Sequence, residues 1–326
     1  MKKKSRFYRG LLTAAVCVLL VPSLVFAEEP AAESEVPQTA AVESTAASAP
    51  AEDLLACLKG AAKAMEPINS ESFQADIAVT SSMMQGNMSL QAKGKVKPEV
   101  ALEGVMNTTF GSVLTNQNKF STPFYMVQDG QDIISYVNTK EDKWEKRILK
   151  NYLHMLNPAI KEKAAASASE MFSAVTQVSL LQELPASREL QVTVDMTRLS
   201  EQLAQQMKQS SLKPEEAAQF EKAQQFMKAM GEVQAKVTID RSNSYIIRVD
   251  SDLTEPCRRL AQSVLLENNK GKAADQLLIS QLIQNSTIQF SLTQGDFNTA
   301  AAAVVPAEIQ KKAVLQKDEK SSKTKK

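Results

Sequence analysis

The sequence predicts an α+β fold in which helices cover one face of an antiparallel β-sheet. Apolar and polar residues alternate in run after run between Ser72 and Leu149, which is the pattern of strands with one buried face. The turns that join these runs are short, and short turns join antiparallel neighbours because parallel pairing needs a long crossover. The helical patterns are grouped outside this stretch, which is typical of α+β proteins.

Six strands are expected between Ser72 and Leu149, and the only tryptophan, Trp144, lies near the end of this stretch. Turn signals such as Gln85-Gly86-Asn87, Lys97-Pro98-Glu99 and Asp129-Gly130 separate the runs. The runs expected to form strands are 73–80, 88–96, 100–106, 120–128, 133–137 and 143–148.

An amphipathic helix is expected just before the strands, over residues 51–65. Leu54, Leu58 and Met65 recur at helical spacing and form one apolar stripe. Pro67 marks the end of this helix.

The second half of the chain mixes helical and strand patterns. The segments expected to be helical are 151–156, 158–175, 197–208, 214–230, 256–267, 273–284 and 306–314. The segments expected to form further strands are 188–196, 233–239, 245–249 and 288–292. No linker-like composition interrupts residues 51–316, so we expect one domain there.

The N-terminus has the three parts of a secretory signal. A basic start is followed by the apolar run Leu11–Leu20 and by a small-residue site that predicts cleavage after Ala27. An uncleaved membrane anchor is the less favoured alternative. Cys17 is a poor lipid-acceptor site because apolar residues continue beyond it, and no targeting segment precedes Cys57.

Two segments are expected to stay outside the folded domain. Residues 28–50 are rich in Ala, Glu, Ser and Pro and cannot bury enough apolar surface to fold, so we expect a disordered linker. Residues 317–326 are rich in lysine and are expected to form a disordered tail. The organisation is therefore signal peptide 1–27, linker 28–50, domain 51–316 and tail 317–326.

The charge balance argues against nucleic acid as a partner. The chain has 38 basic and 37 acidic residues, and removal of residues 1–27 takes away five basic ones and leaves a mildly acidic protein. No later apolar segment is long enough to span a membrane. We expect an exported monomer of the periplasm or cell envelope.

Two cysteines remain after removal of the signal, Cys57 and Cys257. An exported protein could join them in a disulfide, but sequence alone does not say whether they meet. Two free thiols are the favoured alternative.

The sequence does not contain a recognisable catalytic or metal motif. His154 is the only histidine, so a two-histidine metal site cannot form, and the two distant cysteines lack zinc-ligand spacing. Neither a nucleophile elbow nor a phosphate-binding glycine loop is present. We therefore predict a protein that is not an enzyme and has no cofactor.

Several segments together resemble a known family. They are an amphipathic helix over 54–65 followed by Asn69-Ser70-Glu71-Ser72-Phe73, the Lys-Pro-Glu turn at 97–99, Tyr125-Met126-Val127-Gln128-Asp129-Gly130, Lys143-Trp144-Glu145-Lys146 and Val304-Val305-Pro306. This combination resembles the LolA-like group of bacterial envelope proteins, which includes the LolA and LolB lipoprotein-localisation factors and LppX-like lipid carriers. The chain is most similar to the uncharacterised exported relatives of these proteins, and the resemblance covers residues 52–314.

The resemblance implies a strongly curved half-barrel whose concave apolar face is covered by helices and binds acyl chains. The function expected from it is a non-catalytic carrier of lipids or lipidated proteins. The expected lining of the cavity is Leu54, Leu58, Met65, Phe73, Ile77, Met88, Leu90, Leu102, Met106, Trp144, Val192, Val194, Val237, Ile247 and Phe290. An alternative is an envelope structural or interaction protein with a filled core that binds wall polymer or a protein partner, and a third is a hydrolase without a sequence motif.

Overall fold

The computed structural model describes residues 51–81, 84–112, 118–140, 143–149, 172–207, 214–267 and 284–316. The expected signal peptide with its cleavage site at Ala27, the linker, the tail, the helical segment 151–156 with His154, and the helix 273–284 except for Gln284 lie outside the described residues. No helix in the described ranges is long and apolar enough to cross a membrane.

The predicted fold class is confirmed. The protein is α+β, with mostly antiparallel strands and a few helices. The contacts divide the predicted domain 51–316 into two compact units. We name them the four-stranded unit, with described residues in 51–67 and 172–284, and the eight-stranded unit, with described residues in 68–149 and 285–316.

The eight-stranded unit contains the meander that the sequence predicts. Its strands are β1 (Ser70–Ser81), β2 (Met84–Lys95), β3 (Ala101–Ser112), β4 (Asn118–Asp129), β5 (Asp132–Lys140), β6 (Lys143–Leu149), β11 (Ser286–Gly295) and β12 (Val314–Leu315). The strand order is β12-β6-β5-β4-β3-β2-β1-β11. All neighbours are antiparallel except β12, which pairs with β6 in parallel.

The predicted turn at Gln85-Gly86-Asn87 is wrong, because these residues belong to β2. Gly86 pairs with Val79 of β1 on one side and with Phe110 of β3 on the other. Hydrogen bonding to a strand on each side stabilises this segment more than the local turn preference of Gly and Asn favours a turn. Such local preferences are weak determinants in a central strand.

The four-stranded unit has the strand order β10-β9-β8-β7. Its strands are β7 (Val175–Glu183), β8 (Ser187–Asp195), β9 (Glu232–Asp240) and β10 (Ile246–Asp252), and a short 3-10 helix spans Phe172–Ala174. Its helices are α1 (Ala51–Met65), α2 (Met196–Met207), α3 (Pro214–Met230) and α4 (Thr254–Glu267). One more helix, α5 (Ala307–Lys312), belongs to the eight-stranded unit.

Strand β7 was not expected from the sequence. Its register shifts between Val175 and Gln177 and again between Leu180 and Gln182. These bulges break the strict alternation by which a strand is recognised, and they are typical of sheet edges. The predicted helix 158–175 therefore extends too far, because Val175 is already the first residue of β7.

Polar caps set the borders between strands and helices in the four-stranded unit. The Asp195 carboxylate accepts from the backbone N–H groups of Thr197 and Arg198 at 2.9 and 3.2 Å, which is the N-cap arrangement that starts α2. Met196, predicted as a strand residue, is consequently the first residue of α2. Gly231 follows α3 with a positive φ of 67°, the conformation that ends many helices.

Helix α1 lies on the sheet of the four-stranded unit and forms its core. Leu54, Leu58 and Ala61 pack against strand residues that include Leu190, which is 0% exposed, and Val237. This agrees with the expectation that helices cover an apolar sheet face.

Candidate functional site

The site begins with the register of the eight-stranded unit, which assembles one large apolar face. Residues that pair directly across antiparallel strands point to the same side of a sheet. We call this surface the apolar face, and it crosses β11, β1, β2, β3 and β4. Its rows are Gln294, Phe73, Ala92, Gly104, Phe124; Leu292, Ala75, Leu90, Met106, Thr122; Phe290, Ile77, Met88, Thr108, Phe120; and Ile288, Val79, Gly86, Phe110, Asn118.

Two aromatic rings on this face lie over glycines of the neighbouring strand. A Cβ added to Gly104 would stand 2.6 Å from the Phe124 ring, and one added to Gly86 would stand 3.3 Å from the Phe110 ring. Aromatic rings that cover cross-strand glycines are a recurrent way of filling such a surface. Both rings therefore contribute to a continuous apolar surface.

The other face of the same sheet is polar over β1, β2 and β3. Gln91 donates to the Gln74 side chain at 3.2 Å, and Lys93 lies 3.4 Å from the Glu103 carboxylate. These groups are exposed or half-buried. The alternation predicted from the sequence therefore holds, with one apolar and one solvated side.

The side of the sheet opposite to the apolar face carries apolar residues on β4, β5 and β6. The helix α5 packs on these residues. Ile134 and Tyr136 form a buried cluster with Val305 and Ile309. Trp144 packs on this cluster with its ring centroid 5.8 Å from that of Tyr125. Trp144 is thus part of a core on the side opposite to the apolar face.

The apolar face brings together seven of the fifteen predicted lining residues, and all of these except Leu102 are half-buried. These seven are Phe73, Ile77, Met88, Leu90, Leu102, Met106 and Phe290. Leu102 is buried with Val96, Val100 and Ile133 in a small cluster at one end of the face.

The other predicted lining residues lie away from this face. In the four-stranded unit, the packed core contains Leu54, Leu58, Val192, Val194 and Val237. Met65 ends α1 in the same unit and is half-buried. The register shift after Ile246 brings Ile246, rather than Ile247, against the core cluster.

Phe110, Phe120 and Lys119 were missed as candidate residues. Phe110 belongs to β3, which is longer than the run 100–106 that the sequence predicted. Phe120 begins the alternation of β4 on the apolar face, and Lys119 points to the opposite side. The continued alternation beyond Met106 was the signal that could have found Phe110.

A polar pair lies at one end of the apolar face. Glu71 is 2% exposed and pairs with Gly94 in the row next to Phe73. Gln294 is also buried, and its amide donates to a Glu71 carboxylate oxygen at 3.2 Å. Hydrogen bonding is required for a carboxylate at such a depth.

A charged cluster in the four-stranded unit surrounds Cys57. Arg188 donates to the two carboxylate oxygens of Glu183 at 2.8 and 2.9 Å and to the Cys57 sulfur at 3.2 Å. The hydrogen bond from Arg188 lowers the pKa of Glu183, and the Glu183 carboxylate raises the pKa of Arg188. The cluster joins α1 to β7 and β8, so its evident role is structural.

Both cysteines of the described chain are free thiols. Burial raises the pKa of Cys257 above its ordinary value. Among the described residues, no group of His, Cys, Asp and Glu side chains is arranged to hold a metal ion.

Comparisons with known proteins reveal little similarity. No protein-family model matches the chain, and none of the curated proteins matches it. One solved structure to which it is similar is a β-barrel-like protein of a domain of unknown function, DUF1849, from Brucella abortus. It is 10% identical over 57% of this chain and 87% of that chain, with a TM-score of 0.19. A similarity at this level carries no argument about function.

Proposed function

We propose that this protein is an exported, non-catalytic carrier that binds acyl chains of lipids or lipidated proteins in the cell envelope. The resemblance of its sequence to the LolA-like group motivates this function. The observation that supports it best is the apolar face, on which large side chains such as Ile77, Met88 and Phe290 are only partly buried.

The chemistry of the apolar face suits an alkyl chain. Met88 and Met106 occupy neighbouring strands at its centre, beside Leu90 and Ile77. Methionine side chains are flexible and polarisable and adapt to apolar ligands of irregular position. Each methylene group that such a surface removes from water contributes about 0.8 kcal/mol before the cost of association.

Ligand binding is assigned to the eight-stranded unit because the core of the other unit is filled. Leu190 is fully buried under α1, and Leu54, Leu58 and Val192 pack in the same cluster. Native packing leaves few voids larger than a water molecule. An acyl chain would have to displace this core, so the predicted lining residues there are proposed to be structural.

A matched pair of substitutions on β3 tests the proposal. Met106 lies on the apolar face, and its neighbour Asn107 points to the polar face. We expect Met106→Gln to weaken binding of a fluorescent long-chain fatty acid about tenfold, because a buried amide must give up its water. Asn107→Gln is expected to leave binding unchanged, and thermal unfolding of both variants checks that they fold.

Native mass spectrometry of the gently purified protein completes the test. A bound species with the mass of a lipid supports the carrier function. If the protein carries no lipid and the fatty-acid probe does not bind, the proposed function is wrong.

A further inference from the structure

One end of the apolar face is almost free of charge. The strand ends that meet there are 77–81, 84–88, 108–112, 118–121 and 286–290, and Lys119 is the only charged residue among them. We call this region the uncharged end. Charged residues make up 23% of the whole chain, so an end with a single charge differs clearly from an ordinary solvated surface.

Over the four named rows of the apolar face, burial decreases toward this end. The rows nearest to Glu71 contain the buried residues Ala92, Ala75 and Leu292. In the last two of the four rows, no residue is buried, and Phe120 is 60% exposed. Just beyond these rows, the pair Ser81 and Ser286 is buried. Phe120 continues the row of Phe290, Ile77 and Met88, and a contiguous apolar surface that reaches solvent is typical of a site that another molecule covers.

At the opposite end of the face, a pair of polar side chains is buried. The buried Glu71 and Gln294 side chains are hydrogen-bonded there. Passage of an apolar chain across them would break interactions of a buried carboxylate, which is costly in a water-poor environment. Of the two ends of the face, the uncharged end is therefore the more favourable one for the approach of an apolar ligand.

We infer that the uncharged end is the mouth through which an acyl chain enters, and that the ligands are anionic amphiphiles whose head group stays beside Lys119. This inference rests on the proposed function. Phe120 covers the first part of the chain on the apolar face. Lys119 precedes it near the start of β4 and points to the other side of the strand, so its ammonium group lies at the rim where a head group remains in water.

The experiment compares two ligands with the same alkyl chain and different heads. Palmitate and hexadecanol each displace a fluorescent fatty acid from the full-length protein. The variants are Lys119→Gln, with Lys95→Gln at the other end of the sheet as the control, and Phe120→Ser, with the exposed Leu315→Ser as the control. All four positions lie in the eight-stranded unit and are exposed, so all variants are expected to fold.

The wild-type protein is expected to bind palmitate more tightly than hexadecanol. Lys119→Gln should weaken the binding of palmitate about two- to fivefold and leave the binding of hexadecanol unchanged, as expected for the loss of one exposed ion pair. Phe120→Ser should weaken both ligands about three- to tenfold, because it removes apolar contact from the chain. Added salt should reduce the preference for palmitate in the wild type only.

The results that would overturn the inference are distinct from failure of the carrier function. Equal affinity for the two ligands, with Lys119→Gln and Phe120→Ser behaving like their controls, would contradict the assignment of the uncharged end as the mouth. The carrier function would remain in place. Absence of any binding of the fluorescent fatty acid to the wild type overturns both.

Discussion

At the scale of single residues, Gly104 shows how closely the strands of the apolar face approach one another. A Cβ at this position would lie 2.2 Å from the backbone oxygen of Gln91 and 2.6 Å from the Phe124 ring. The backbone oxygen cannot move without disturbing the ladder between β2 and β3. The position therefore requires glycine for reasons of space.

A pair of glycine substitutions tests this conclusion with opposite expected signs. We expect Gly104→Ala to lower the free energy of unfolding by about 1–3 kcal/mol, because overpacking forces the strands apart. Gly60 lies in α1 with no atom within 4 Å of an added Cβ, so Gly60→Ala should raise it by roughly 0.5–1 kcal/mol through helix propensity. Urea denaturation measures both, and equal effects would contradict the close approach at Gly104.

Glu183 is the residue for which a pH dependence is expected. Arg188 binds its carboxylate through two hydrogen bonds and Arg241 lies 3.3 Å away, so the pKa of Glu183 is lower in the folded protein than in the unfolded chain. The associated stabilisation is present above the unfolded pKa and is lost as the pH falls through the folded pKa.

The variant Glu183→Gln isolates this contribution. We expect the wild type to be more stable than the variant at neutral pH, by a few tenths to about 1 kcal/mol because the carboxylate is partly exposed. The difference should disappear on acidification below the ordinary range of glutamate. Thermal unfolding from neutral to acidic pH measures it, and a difference that does not depend on pH would count against the ion pair as its source.

At the scale of secondary-structure elements, the C-terminal segment stabilises the eight-stranded unit. Ala303 donates its backbone N–H to the oxygen of Ala101, and Gln316 donates to that of Lys146. Between these points α5 packs on Ile134 and Tyr136, on the side of the sheet opposite to the apolar face. Residues that are distant in sequence, at β3 and β6, are thereby joined by one segment.

Two adjacent valines provide a sharp test of that segment. Val305 is 6% exposed in the cluster with Tyr136, whereas Val304 is 78% exposed. Val305→Ala is expected to cost about 1–3 kcal/mol of unfolding free energy through lost burial and a residual cavity. Val304→Ala should change it by less than about 0.5 kcal/mol. Similar values for the two variants in chemical denaturation would show that the segment does not pack as described.

At the scale of the whole molecule, the chain passes between its two units more than once. It begins in the four-stranded unit with α1, continues through six strands of the eight-stranded unit, and returns to each unit again. A division of this kind leaves no linker of low complexity at its borders, near residues 67 and 284. The sequence therefore suggested one domain where the contacts form two compact units.

The strands of the meander were predictable because short turns separate runs in which apolar and polar residues alternate, most regularly in 73–80 and 88–96. The strand β7 was not, because its bulges interrupt the period, and neither was the strand character of Gln85-Gly86-Asn87, where pairing on both sides overrides turn propensity. Alternation identified Ile77, Met88 and Met106 as inward residues but did not tell which sheet face was filled.

The sequence by itself determined the α+β class, the six strands of the meander, the helix before them and the separation of apolar from polar strand faces. These properties depend on local periodicity, which a chain carries in its own order of residues. Only the tertiary structure decided that Val192 and Val237 lie in a filled core, that Trp144 packs on the far side of the sheet, and that Phe120 is exposed beside a single lysine. The register of distant strands sets those positions, and register arises from pairing between segments whose partners the sequence does not name.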